Sequence, residues 1–373
     1  MALIWSAQSG DWDETTTWVG GTVPDLSVDD VIIAAGHGVT MDWTSRTLTS
    51  GREITVEQYA TLEVFSELTV ENGASLYVDG GLYVSAYINM QGYMVIGGDG
   101  WLDDYGSVAV VYGGTVDAYG AINVGAYCNF DLVYGSSLYV YGSFYQDYSA
   151  NAYVYQGSNF TVETGGDAYF NGYLYVEDYA QFHAYGNMDI DYSGSVDVRY
   201  YGEFYVEPGG SLTNNNYINV TDSATLYVYG EMANQSSLYI AGSGQVYVEN
   251  GGTLTVDGYV QVEYYSTLTV SYGGKLIVGV YGSMDVYYDG TVCFDYQSRS
   301  DIFGYFGLAE DSYLYIGYDA LVRVYRNISV SGRMDGDGGK IVMMRREGRI
   351  NDYNGDPLFV FDRAYGHGQT LIA

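Results

Sequence analysis

The chain has 373 residues, a formal net charge of −33 from 46 acidic and 13 basic side chains, 51 glycines, 45 tyrosines and only 3 prolines. That charge repels phosphate backbones and anionic bilayer surfaces, and no apolar run approaches a transmembrane helix, so neither nucleic acid nor membrane insertion is expected. The scarcity of proline excludes a collagen-like chain, and an apolar content of 47% is enough for a substantial core.

Residues 1–50 read as an N-terminal cap, set apart by four of the five tryptophans: Trp5, Trp12, Trp18 and Trp43. The start, Met1-Ala2-Leu3-Ile4-Trp5, has neither the basic nor the apolar region of a signal peptide. Export without a leader, a leader already removed, or release in a virus particle are the expectations. Gly10-Asp11-Trp12-Asp13-Glu14-Thr15-Thr16-Thr17-Trp18 is followed by Gly20-Gly21, Pro24, Asp29-Asp30-Val31-Ile32-Ile33 and Gly36-His37-Gly38-Val39. This stretch resembles the glycine-rich opening of G8-type domains and of bacterial and phage parallel β-helix surface proteins. The resemblance covers about 40 residues and its motif is loose. It implies that a parallel β-helix follows. Relatives of that kind range from hyaluronan handling to adhesion, so it implies no mechanism.

From residue 51 to 340 an apolar-x-apolar dyad recurs. It begins at Ile54/Val56, Leu62/Val64, Leu68/Val70, Leu76/Val78, Leu82/Val84 and Ile88/Met90, with first members 8, 6, 8, 6 and 6 residues apart. Even steps keep every dyad on one side of a strand, because strand side chains alternate with period two. Three dyads to a turn place anchors at Ile54, Leu76, Met94, Val116, Leu138, Phe160, Phe182, Phe204, Leu226, Val246, Leu268, Val292, Leu314 and Met334. The expected fold is all-β: a single-stranded parallel β-solenoid with three short strands per turn, about 22 residues per turn and about 13 turns. Right-handed coiling is the prior for parallel crossovers. The dyads blur at 97–104 and 297–306. Gly and Asn in steps such as Val70-Glu71-Asn72-Gly73 provide the positive φ a corner needs. Cys128 and Cys293 fall about eight turns apart, roughly 38 Å at strand spacing, so no bridge between them is expected.

Residues 341–373 read as a C-terminal cap or docking segment. Nine of the 13 basic residues lie from Arg299 onward. Arg323, Arg326, Arg345, Arg346 and Arg349 are candidate docking residues against the acidic body of another copy, and a solvated charge run is the competing reading.

Catalytic patterns are weak. Gly-His-Gly occurs at 36–38 and 366–368, as in polygalacturonases, which are also β-helices. Those enzymes add Asp pairs and an Arg-x-Lys; Asp29-Asp30 and Asp103-Asp104 exist here, but Arg-x-Lys does not. Among 46 acids some pair meets the spacing of a glycosidase by chance, and no excess of Arg, Trp or His marks a cleft. No catalytic residue and no cofactor are expected. Structural calcium is the one ion with candidate ligands: Asp335 and Asp337, then Asp352, Asn354 and Asp356, though neither group completes a known calcium loop.

Tyrosine is the anomaly. Tyr77, Tyr139, Tyr205, Tyr227, Tyr247 and Tyr315 occupy outward positions between dyad members. Tyr205, Tyr227 and Tyr247 should stack on successive turns, and Tyr119, Tyr141, Tyr185 and Tyr229 recur at corners. Tyr suits a half-exposed strand, and it also makes contact surfaces at low entropic cost. The expectation is a non-enzymatic, extracellular, cell-surface or virion-surface structural or adhesive rod, whose acidic Tyr walls contact other copies or glycans. The alternative is a phage or viral spike or fibre that binds, and in one version depolymerises, a host surface glycan.

Overall fold

The computed structural model describes residues 2–344 except Asn327, and the backbone of the strands Arg349–Asn351, Pro357–Val360 and Gln369–Ile372. The fold is an all-β parallel solenoid in which three short strands, mostly of four residues, make each turn. Helix is limited to two 3-10 turns, at Thr15–Thr17 and Val19–Gly21. The chain divides into an N-terminal unit, Met1–Tyr175 with Tyr179–Met188, and a C-terminal unit, Val176–Asp178 with Asp189–Ala373.

In the N-terminal unit the first wall pairs Ile54 with Leu76, Leu76 with Met94, Met94 with Val116, Val116 with Leu138, Leu138 with Phe160 and Phe160 with Phe182. In the C-terminal unit it pairs Phe204 with Leu226, then Val246, Leu268, Val292, Leu314 and Met334. These are the anchors the dyads place on one face. Turn lengths vary only in the corners. Leu62 pairs with Leu82 across a narrow turn and Leu276 with Ser300 across a wide one, and both steps are even, so the inward face is kept.

The inward residues close a dry core. In the N-terminal unit Phe144, Phe160 and Phe182 are buried, with ring centroids 5.0 and 4.7 Å apart in sequence. Each such ring stabilises the fold by about 1.5–3 kcal/mol relative to exposure. The two blurred regions are regular strands, Trp101–Asp104 and Arg299–Ile302. Their dyads are obscured because Asp104 and Ser300 take inward, fully buried positions that elsewhere carry aliphatic groups.

Residues 1–50 carry the same ladders. Ile4 pairs with Val31, and Val31 with Ile54. Trp12 and Trp18, both buried, meet edge to face at 4.8 Å, and the Trp18 indole N–H donates to the Trp12 carbonyl at 2.7 Å. Arg46 lies 5.5 Å over the Trp12 ring and pairs with Asp13 at 2.7 Å. At the other end, Gln369–Ile372 pairs antiparallel with Lys340–Met343, and Pro357–Val360 with Arg349–Asn351. Both pairings occupy strand edges that would otherwise template association.

Candidate functional site

The corners, more than the flat walls, distinguish this molecule. Narrow corners of the Tyr-Gly type need glycine for space. A Cβ on Gly120 would sit 2.0 Å from the Gly100 carbonyl oxygen, and one on Gly142 2.2 Å from that of Gly120. The preceding Tyr119 and Tyr141 are thereby turned outward and stack at 4.5 Å. Wide corners need positive φ, and here the expectation of glycine and asparagine is only partly met. Among the described residues ten tyrosines hold positive φ, among them Tyr59, Tyr112, Tyr134, Tyr264, Tyr265 and Tyr288. Left-handed backbone costs an L-residue with a Cβ roughly 1–2 kcal/mol.

Backbone hydrogen bonds between turns hold these corners. Ser243 donates its N–H to the Tyr264 carbonyl at 3.0 Å, and Tyr264 donates to that of Tyr288 at 2.8 Å. The rings project into solvent and align. Tyr112 and Tyr134 are parallel within 1° at 5.0 Å, Tyr264 and Tyr288 within 9° at 5.3 Å, and Tyr272, Tyr296 and Tyr318 continue at 5.8 and 6.0 Å. Composition flagged the tyrosine excess, but spacing alone did not show that its exposed part sits on strained corners.

The wall tyrosines divide. Tyr205, Tyr227 and Tyr247 form a ladder with centroids 4.9 and 5.5 Å apart. They are half-buried, and the Tyr205 hydroxyl donates to Glu203 at 2.7 Å. Burial, and then Glu203, push its phenol well above the usual range. Tyr77 meets Tyr93 edge to face at 6.4 Å. Tyr139 is flanked by Asp117 and Thr161, and Tyr315 by Cys293 and Asp335. The Tyr315 hydroxyl reaches Asp337 at 3.2 Å. The six wall candidates therefore make one three-ring ladder and three separate positions.

Of the candidate docking residues, Arg323 is engaged by buried Asp301 at 2.7 Å, and Arg326 is exposed. Arg345 and Arg346 lie outside the described residues, as do Asp352, Asn354 and Asp356; Arg349 is described in backbone only. Asp335 accepts the Gly336 N–H and pairs with Arg333 at 3.0 Å, which together hold its carboxyl below the ordinary range. No group of three or more His, Cys, Asp or Glu side chains is disposed to hold a metal ion among the described residues. His37 binds the Ser6 hydroxyl at 2.8 Å, a turn contact within the first ladders.

Inward polar residues at strand ends were not legible as such. Asp104, Gln146, Asn214 and Asn234 end strands of the second wall (Trp101–Asp104 and Ser143–Gln146 in the N-terminal unit, Ser211–Asn214 and Glu231–Asn234 in the C-terminal unit) with inward side chains, and all four are fully buried. Gln146 donates to the Tyr173 carbonyl at 2.9 Å, and Asn234 to that of Tyr259 at 2.9 Å. Asp104 accepts the Gly106 N–H at 3.0 Å, but its second oxygen has no partner. Burial raises its carboxyl to about 7. Burial likewise raises nearby Asp131, in the strand Asn129–Leu132, to about 6.

No protein-family model and no curated protein matches the chain. Among solved structures, a TibC-catalysed, hyper-glycosylated TibA fragment is similar at 15% identity. The match covers 83% of this chain and 97% of that one, with a TM-score of 0.22. No helix among the described residues is long and apolar enough to cross a membrane.

Proposed function

We propose that the chain is a non-enzymatic structural or adhesive β-solenoid that works outside the cell, at a cell or virion surface, through its tyrosine-bearing corners and acidic walls. The observation that carries this reading is the set of solvent-facing tyrosines held at positive φ. Gly or Asn would satisfy those corners without strain. Strain retained at exposed aromatic positions is characteristic of contact surfaces, where the side chain itself is needed. The partners are other copies of the protein or surface glycans.

Electron microscopy of the purified protein, with and without millimolar calcium, tests it alongside a glycan-binding screen. Filaments, sheets or glycan retention that disappear when Tyr59 and Tyr265 become Asn support the proposal. A monodisperse protein that binds neither itself nor any glycan overturns it. The spike reading draws on rings whose faces no stack covers, such as Tyr192 and Tyr281, exposed by 77% and 92%. Trimeric particles with glycan binding and no filaments would favour it.

A further inference from the structure

Three groups of wide-corner tyrosines combine parallel stacking between neighbouring turns, which stacked wall rings such as Tyr145 and Tyr169 also show, with exposure of every ring. Tyr112 with Tyr134, Tyr264 with Tyr288, and Tyr272 with Tyr296 and Tyr318 all pair residues of neighbouring turns, with planes inclined by 1°, 9°, 17° and 9° in that order of contact. All seven rings are exposed. We propose that these stacks are modification sites, at which a one-electron oxidant couples tyrosines of successive turns into dityrosine.

The chemistry is defined. Each phenol loses one electron to the oxidant and its hydroxyl proton to water, giving two phenoxyl radicals. A carbon–carbon bond forms between the ring positions next to the oxygens. The hydrogen on each joined carbon then moves to its oxygen, which restores both phenols. Two tyrosines thus become one dityrosine with the release of two electrons and two protons. The oxidant is a separate reagent, such as a peroxidase with hydrogen peroxide or a photo-oxidant with persulfate.

The geometry favours coupling within the chain. A radical on Tyr112 has its partner ring 5.0 Å away. Such placement replaces an encounter between chains by an effectively unimolecular step. The backbone fixes the pairing, as in the N–H of Tyr264 bonded to the Tyr288 carbonyl, while exposure leaves the rings free to close the remaining distance. The wall ladder is an internal contrast. Tyr205 and Tyr227 are as close, at 4.9 Å, but both are half-buried and the Tyr205 hydroxyl is held by Glu203. A bond at a corner would staple one turn to the next. Solenoids, whose turns contact only their neighbours, would then resist unzipping.

The test is brief illumination of the full chain at micromolar concentration with ruthenium trisbipyridyl and persulfate. Blue dityrosine fluorescence and peptide mapping are the readouts. Cross-links within the chain at the three stacks should exceed those at Tyr59, Tyr192 and Tyr281 by about tenfold or more. Tyr112→Phe and Tyr134→Phe keep the stacked ring and should each remove that cross-link with circular dichroism unchanged. Cross-links that simply follow exposure and join separate chains, or an absence of dityrosine, overturn the proposal. It stands apart from the assembly reading, which is scored on protein that has not been oxidised.

Discussion

Asn214 donates its side-chain amide to the Asn234 side-chain oxygen Oδ1 at 2.7 Å, inside the C-terminal unit and out of reach of water. The two residues follow one another on the second wall. Asn214 also donates to the Ser237 carbonyl at 2.9 Å, and its own oxygen accepts the Asn216 N–H at 3.2 Å. Asn214 therefore satisfies the corner N–H of Asn216 and adds a donor to the first carbonyl of the strand Ser237–Ile240, and a buried group left unsatisfied costs about 1–3 kcal/mol.

Replacing Asn214 by Val should lower stability by about 1–3 kcal/mol, because the Asn216 N–H and the Asn234 side-chain oxygen lose this partner together. The loss is read as a fall in the urea midpoint. Replacing both Asn214 and Asn234 should cost less than the sum of the two single changes, since they share a bond. Strict additivity would show that the pair does not act as a unit.

Asp104 predicts a pH dependence of opposite sign to that of most carboxylates. Its folded value, about 7, lies above the ordinary carboxyl value of 3.8. The stability it contributes is full below that unfolded value and is lost as pH rises through about 7. Asp131, raised to about 6, acts in the same direction. Asp104→Asn removes the buried charge and gives the unpartnered position an N–H donor, as at Asn214. The urea midpoint of this variant should exceed the parent's at pH 8 and match it near pH 4. A variant less stable at both would show that the carboxylate has a partner it needs.

The register was legible because it rests on a parity rule. Ile54, Leu138 and Leu268 mark the first wall in sequence as plainly as in three dimensions, since an odd step would have exposed them. The inward polar residues were hidden for the same reason. Asp104 and Asn214 interrupt an apolar dyad, and a sequence pattern cannot tell a buried amide from a missed strand. The corners were half legible. Gly73 and Gly113 announce their positive φ, whereas Tyr264 and Tyr288 adopt it with bonds to neighbouring turns that local sequence does not encode. Of the candidate contact residues, stacking joined Tyr205, Tyr227 and Tyr247, because only there do three wall tyrosines coincide in register.

Trp12 is fully buried at the first turns, with Trp18 against one side and Arg46 over its face. Trp12→Ala should destabilise the chain by about 3–5 kcal/mol, the cost of a large cavity. Because an uncovered solenoid end exposes strand edges, aggregation should rise as well. Scattering during thermal unfolding measures both. Trp43→Ala, at a position 85% exposed, should change stability by no more than about 0.5 kcal/mol.

Corner tyrosines set stability against function. Tyr59 and Tyr265 hold φ of 66° and 63° with their rings in solvent. Asparagine tolerates that backbone better than a bulky aromatic residue. Tyr59→Asn and Tyr265→Asn should therefore each raise stability by about 0.5–1 kcal/mol, seen as a higher urea midpoint with an unchanged slope. If the rings are the contact surface, the same variants should weaken assembly or glycan binding. Natural chains rarely retain strain that a single substitution relieves unless the side chain is used. Stabilised variants with undiminished binding would assign the corner rings to folding alone and move the contact surface onto the walls, where Tyr205, Tyr227 and Tyr247 are the next residues to substitute.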